Sequence, residues 1–261
     1  MSKFIERLEK VGVVVPAAMG FGASRAPEKV ASLLLVALSG TKPANSSAQL
    51  PVDLHIVCTA KVSKPELKAA RDVAGDALWG LWPETVTTSS LDTLRKEGGD
   101  FFIFSKVTTP AEVLVGEELG KLMAVPADLS EEMGRSLEEL PVDAILLSGL
   151  EEASPLSVGD LMQVRWVRDW MSKPLLLLRS QSLSQGELEV LQDAGIQAVV
   201  LDMRTMNGKD VDGMREAIEG LPPRKTRRDH TTALLPRLSP RTALPPSAEE
   251  DEEDEDDDDD Y

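Results

Sequence analysis

The sequence predicts an α/β fold in which eight short strands alternate with helices and close into a parallel barrel. Three observations predict it. Apolar runs rich in Val, Ile and Leu recur between Ala31 and Leu221, each near the length of a buried parallel strand. Helix-start signals follow most of these runs, and glycines close several of the periodic segments. The units recur at a spacing of roughly 20 to 30 residues, which implies right-handed crossovers onto one parallel sheet.

Taken in chain order, Ser2 to Glu9 reads as a short amphipathic helix with Phe4, Ile5 and Leu8 on one face. Gly12 to Gly22 reads as a strand-like entry and a glycine turn. This leading segment is either a plug for one end of the domain or a docking or lid element. The eight expected strands are Ser32 to Leu38, Leu54 to Thr59, Ala77 to Trp82, Phe101 to Ser105, Leu122 to Pro126, Ala144 to Ser148, Leu175 to Arg179 and Ala198 to Asp202. Helix-type sequence follows every strand except the first, whose loop from Gly40 to Pro51 is rich in Ser, Pro and Asn. Ser63 with Glu66, Thr109 with Glu112, and Ser184 with Glu187 match the capping box, in which the first side chain and the glutamate satisfy each other's backbone amides. Pro110 suits the first helical position, where its missing N–H costs nothing. Gly75, Gly98, Gly120 and Gly195 supply expected helix ends. Several units also share one order of residues, a helix end, a polar residue or two, then a strand, as in Gly99-Asp100-Phe101, Val142-Asp143-Ala144 and Ile196-Gln197-Ala198.

Eight such units over residues 31–221 resemble a (β/α)8, or TIM-barrel, protein. Leu188 to Asp202 is similar to the last helix and strand of the phosphate-binding barrels. That resemblance implies a glycine-rich phosphate turn after the seventh or eighth strand. The corresponding segments here are Arg179-Ser180-Gln181-Ser182 and Asp202-Met203-Arg204-Thr205, with no glycine until Gly208. The competing fold is an open doubly wound sheet, kept in play by the missing first helix, although no G-x-G-x-x-G follows any strand.

Charge divides the chain further. Of 45 acidic residues, twelve form the unbroken run Glu249 to Asp260, and the formal net charge of −17 falls to −5 once they are set aside. Adjacent carboxylates repel and offer no apolar surface, so an acidic tail over 249–261 is expected to be disordered. Residues 222–248 form a basic, Pro-rich linker with Arg224, Lys225, Arg227, Arg228, Arg237 and Arg241. The expected organisation is an N-terminal extension over 1–30, the barrel over 31–221, the linker and the tail. An acidic body disfavours direct nucleic-acid binding, which needs clustered Lys and Arg. The longest uncharged run, Val11 to Ser24, is shorter than the about 20 apolar residues of a membrane span and is interrupted by Gly and Pro. Glu6, Glu9 and Pro16 argue against an export signal. A lone Cys58 excludes a disulfide framework and suits a reducing, cytoplasmic compartment.

In a barrel the active site lies at the carboxyl ends of the strands, so the polar residues there are the candidates. They are Lys61, Glu84, Lys106, Asp128, Glu151, Arg179, and Asp202 with Arg204. A lysine desolvated among apolar walls can form a Schiff base with a carbonyl, and a neighbouring carboxylate can move its protons. Lys106 with Asp128, together with Lys61, is the catalytic set on that basis; Glu84, Arg179, Asp202 and Arg204 are the substrate-binding set. No D-x-D or H-x-H spacing gathers the strand-end acids Glu84, Asp128, Glu151 and Asp202 as metal ligands, and the sequence does not indicate a cofactor. His55 reads as a satisfied core or barrel-interior histidine, and Cys58, three residues on, must face the other way. Trp79 and Trp82 should likewise face opposite sides, whereas Trp166 and Trp170, one helical turn apart, share a face for barrel packing or an interface.

The resulting reading is a TIM-like barrel without a catalytic signature, a binding or scaffold protein whose tail, linker and N-terminal segment engage partners, the acidic tail taking a protein partner. The alternative is a lyase or isomerase acting on a small carbonyl or phosphorylated compound.

Overall fold

The computed structural model of the protein describes residues 2–12, 31–41 and 50–222. Each expected apolar run forms a strand: β1 (Leu34–Gly40), β2 (Leu54–Thr59), β3 (Leu78–Pro83), β4 (Phe101–Phe104), β5 (Gly120–Pro126), β6 (Ala144–Ser148), β7 (Leu175–Arg179) and β8 (Ile196–Asp202). All pair in parallel, in sequence order, and β8 closes onto β1 through pairs such as Val36 with Val200. The closure makes the fold a (β/α)8 barrel and excludes the open sheet. The helices are α1 (Lys3–Lys10), α2 (Lys64–Ala74), α3 (Thr88–Lys96), α4 (Glu131–Glu139), α5 (Val158–Trp170), α6 (Gln185–Ala194) and α7 (Gly208–Glu219). The stretch expected to lack a helix between β1 and β2 lies largely outside the described residues, as do the expected glycine turn and the linker and tail. Among the described residues, no helix is long and apolar enough to cross a membrane.

Strand alternation sorts the side chains into two cores. Leu54 and Ile56 of β2, Phe101 and Ile103 of β4, and their counterparts fill the barrel interior. Val57, Trp79, Leu81 and Phe102 face outward into the helix layer. At β3 the interior is crowded: a Cβ on Gly80 would stand 2.5 Å from both the ring and the carbonyl oxygen of Phe101, so glycine leaves room for that ring.

The polar residue at the start of each even strand, just before β2, β4 and β6 and second in β8, has a common place at the base of the barrel. Asp53 accepts the amide of Leu35 at 2.8 Å, Asp143 that of Lys121 at 2.7 Å, and the Gln197 side chain that of Leu175 at 2.8 Å. Each ties the base of a strand to its predecessor. Asp100 departs from the pattern. Its carboxylate accepts the Ser2 hydroxyl at 2.7 Å and the amides of Lys3 and Phe4 at 3.0 and 2.9 Å, all at the start of α1. Negative charge at a helix N-terminus is favourable on both hydrogen-bond and dipole grounds. Helix α1 thereby lies across the N-terminal end of the barrel, burying Phe4, Ile5 and Leu8 against the interior, with the Phe4 and Phe101 rings 4.7 Å apart. It is a plug at the end opposite the mouth.

Two expected helix signals turn out differently. Ser184 and Glu187 form the full capping box of α6, but Ser63 makes no backbone cap and donates to Glu66 at 3.0 Å instead. Thr109 and Glu112 start no α-helix. The segment makes one 3₁₀ turn over Ala111–Leu114, because the chain breaks at Gly116 in a left-handed conformation (φ 102°) and the buried Lys121 ammonium takes the carbonyls of Leu114 and Gly116 at 3.1 and 2.8 Å. Gly120 consequently opens β5 rather than ending a helix.

Candidate functional site

The carboxyl ends of the strands open into a shallow bowl made of two adjoining cavities of about 400 and about 380 Å³ that share Cys58, Thr59, Ala60 and Arg204. Trp82, Glu84, Ser105 and Lys106 complete the first; Gly40, Thr41, Glu66 and Met203 line the second. Alternation brings Cys58 and Trp82 there: they continue the inward rows of β2 and β3, while Trp79 packs outward.

Asp202, at the end of β8, is buried beneath the bowl, and Arg204 folds back over it. The Arg204 Nε and Nη2 donate to the two Asp202 oxygens at 2.8 and 2.6 Å, and the Arg204 amide adds a third bond at 3.0 Å. The fork satisfies both carboxylate oxygens and pushes the Arg204 pKa up. Nη1 takes no part in the fork. Burial pushes the Cys58 thiol up; the Arg204 charge opposes that shift and Asp202 adds to it. The bowl therefore holds a thiol, an acid paired with Arg204, an indole and the charges of Lys106, Glu84 and Glu66.

Of the residues expected from the sequence, Glu84, Lys106 and Arg204 line one cavity, with Asp202 directly below. Lys61 and Asp128 are exposed and line neither cavity of the mouth, so Lys106 and Asp128 are not brought to a common cavity. Glu151 accepts the amide of Gly149 within its own turn. Arg179 points away from the interior: it is fully buried and its guanidinium donates to the carbonyls of Leu150 and Ala153, pinning the loop between β6 and α5 to the outer wall. Burial lowers the Arg179 pKa, with the charges of Glu187, Asp160 and Glu151 opposing. Glu187 stays ionised below the usual carboxylate range despite its burial, through hydrogen bonds from the Ser184 hydroxyl and the amides of Leu156 and Ser184, and through Arg179.

His55 is the core histidine that the sequence suggests, but it is neither inside the barrel nor satisfied at Nδ1. It is buried, but on the outward side of β2, because Leu54 and Ile56 take the inward positions. Its Nδ1 has no hydrogen-bond partner, and burial lowers its pKa. The mouth residues missed in the sequence are Cys58, Trp82 and Ser105. The signal for them was strand parity: once Leu54, Leu78 and Phe101 are known to point inward, so must residues two and four further on.

The fold matches solved barrels. Two structures of the tryptophan synthase α-subunit from the hyperthermophile Pyrococcus furiosus, one of them a mutant, are each 9% identical to this chain with a TM-score of 0.56. The match covers 71–72% of this chain and 96–97% of theirs. A cube-shaped, porous cage designed by fusing symmetric oligomeric domains matches with a TM-score of 0.53 and 13% identity, over 72% of each chain. At such identities the likeness is one of fold. No protein-family model and no curated protein matches the sequence.

Proposed function

We propose that this chain is a binding or scaffold protein built on a TIM barrel, taking a protein partner through the acidic run Glu249 to Asp260. The observation that carries the reading is the state of Asp202. It is the buried carboxylate of the mouth, and Arg204 occupies both its oxygens, so it serves as a positioned counter-ion rather than an available base. The sequence supplies the rest: twelve consecutive carboxylates attract a basic surface by long-range, salt-sensitive forces. Affinity capture with the full chain, and with a variant carrying Gln and Asn in place of Glu and Asp over 249–260, tests the tail. The captured set should disappear from the variant; an unchanged set sinks the tail's role.

A second reading is a lyase or isomerase working on a carbonyl or phosphorylated compound, and the cavity of about 400 Å³ at the mouth favours it, with Lys106 as the amine. A thermal-shift screen of the full chain against phosphorylated sugars, keto acids and nucleotides separates the two. A ligand at 100 times its Kd adds about 2.7 kcal/mol, a shift of a few degrees. No shift is expected. A specific hit, with borohydride trapping of a keto acid on Lys106, overturns the binding reading.

A further inference from the structure

Helix α5 is apolar on two opposite sides. Val164 and Val167 are buried against the barrel, whereas Val158, Met162 and Trp166, at i, i+4 and i+8, are 74%, 66% and 51% exposed. Single exposed apolar residues need no explanation, but three on successive turns form a continuous ridge about 12 Å long. A helix with apolar residues on two opposite sides is suited to being covered on both. Trp170 does not extend the ridge. It packs onto α4, where Gly134 makes way for it: a Cβ there would come within 1.5 Å of the indole.

The surroundings of the ridge are acidic. On one side α4 carries four glutamates and one arginine, Arg135, which pairs with Glu131 of its own helix. On the other, α6 carries Glu189 and Asp193 and no base, Glu187 being held by the helix's own cap and the amide of Leu156. The cations of α5 itself are turned onto backbone carbonyls, Arg165 to that of Asp193 at 3.2 Å and Arg168 to that of Lys173 at 2.9 Å. A second copy is a poor occupant. Whichever way a two-fold axis is drawn across α5, it sets acidic α4 or α6 against an equally acidic helix.

We propose that the outer face of α5 is a docking site for a basic amphipathic segment: apolar side chains at helical spacing lie along Val158, Met162 and Trp166, and flanking Lys or Arg residues meet α4 and α6. This rests on the binding reading above but places a contact on the barrel wall, independent of the tail. The mode is helix-on-ridge recognition, with Trp166 as the large anchor.

The test uses the full chain and two labelled synthetic peptides of identical Leu, Lys and Ala composition. One carries its leucines along a single helical face between lysines; the other distributes them around the helix. Fluorescence anisotropy should show the first binding about tenfold more tightly. Met162→Glu should abolish that preference without moving the thermal transition, since the position is exposed, and Trp166→Ala, at a half-exposed position, should abolish it as well. The amide-tail variant should weaken both peptides alike and keep the preference, so loss of the tail's role and loss of this site are distinguishable. Equal binding of the two peptides to the native chain overturns the proposal, as does a preference that survives Met162→Glu. Self-association of the native chain in sedimentation, relieved by Met162→Glu, assigns the face to a second copy instead and overturns it too.

Discussion

The two ends of the barrel follow opposite plans. At the N-terminal end, Asp53, Asp100, Asp143 and Gln197 each accept backbone amides, and α1 seals the interior with Phe4, Ile5 and Leu8. At the mouth, Lys106 and Glu84 are exposed, Arg204 is half-exposed, and the bowl stays open. The difference teaches where stability resides. The closed end is sealed by buried apolar side chains and by side chains that accept strand and helix amides, whereas the polar contact of the mouth is the Arg204–Asp202 fork beneath an open bowl.

The largest effect should come from Phe4→Ala, which empties the space beside Phe101 and is expected to cost about 3–5 kcal/mol in urea unfolding. A loss below about 1 kcal/mol would mean that the closed end does not depend on the plug. Asp100→Ala comes next. Removing an ionised acceptor from two amides and a hydroxyl should cost about 1.5–3 kcal/mol, more than the same change at exposed Asp128, and comparable costs at the two would break the contrast.

At the mouth the expected effects are on reactivity. Because burial raises its pKa, Cys58 should be alkylated more slowly at neutral pH than a free thiol, although it lines the open bowl. Asp202→Asn removes a charge that raises the thiol pKa and should speed the reaction; Arg204→Gln removes one that lowers it and should slow it. Each change should stay within about tenfold, and reversed signs would show that the Asp202–Arg204 pair does not act on the thiol. The smallest effects belong to Lys106→Ala and Glu84→Gln, expected within about 0.5 kcal/mol of the native stability by the same urea titration.

The barrel was legible because its strands are buried on both faces and therefore appear as unbroken apolar runs; β2, β6 and β7 begin and end where the runs do. Ser184 with Glu187 announced α6 because a capping box is a local bargain among four residues. Thr109 with Glu112 carried the same signal, yet the pull of Lys121 on the carbonyls of Leu114 and Gly116, from a strand further on, yields a single 3₁₀ turn. The candidate site was legible only in part. Lys106 and Glu84 follow strands and reach the bowl, but Arg179 also ends a strand and turns outward, because its place in β7 falls on the outward parity.

By itself the sequence determined the order of the strands, the amphipathic first helix and the separation of an acidic run from an acidic body, since each depends on neighbouring residues or on composition. Tertiary structure alone decided which end α1 closes, that Asp100 leaves the strand-base pattern to hold it, that Arg204 occupies Asp202, and that Trp166 and Trp170 part company over Gly134. Those outcomes rest on contacts between residues distant in the chain, or on the space one side chain leaves for another, and neither quantity is written in local pattern.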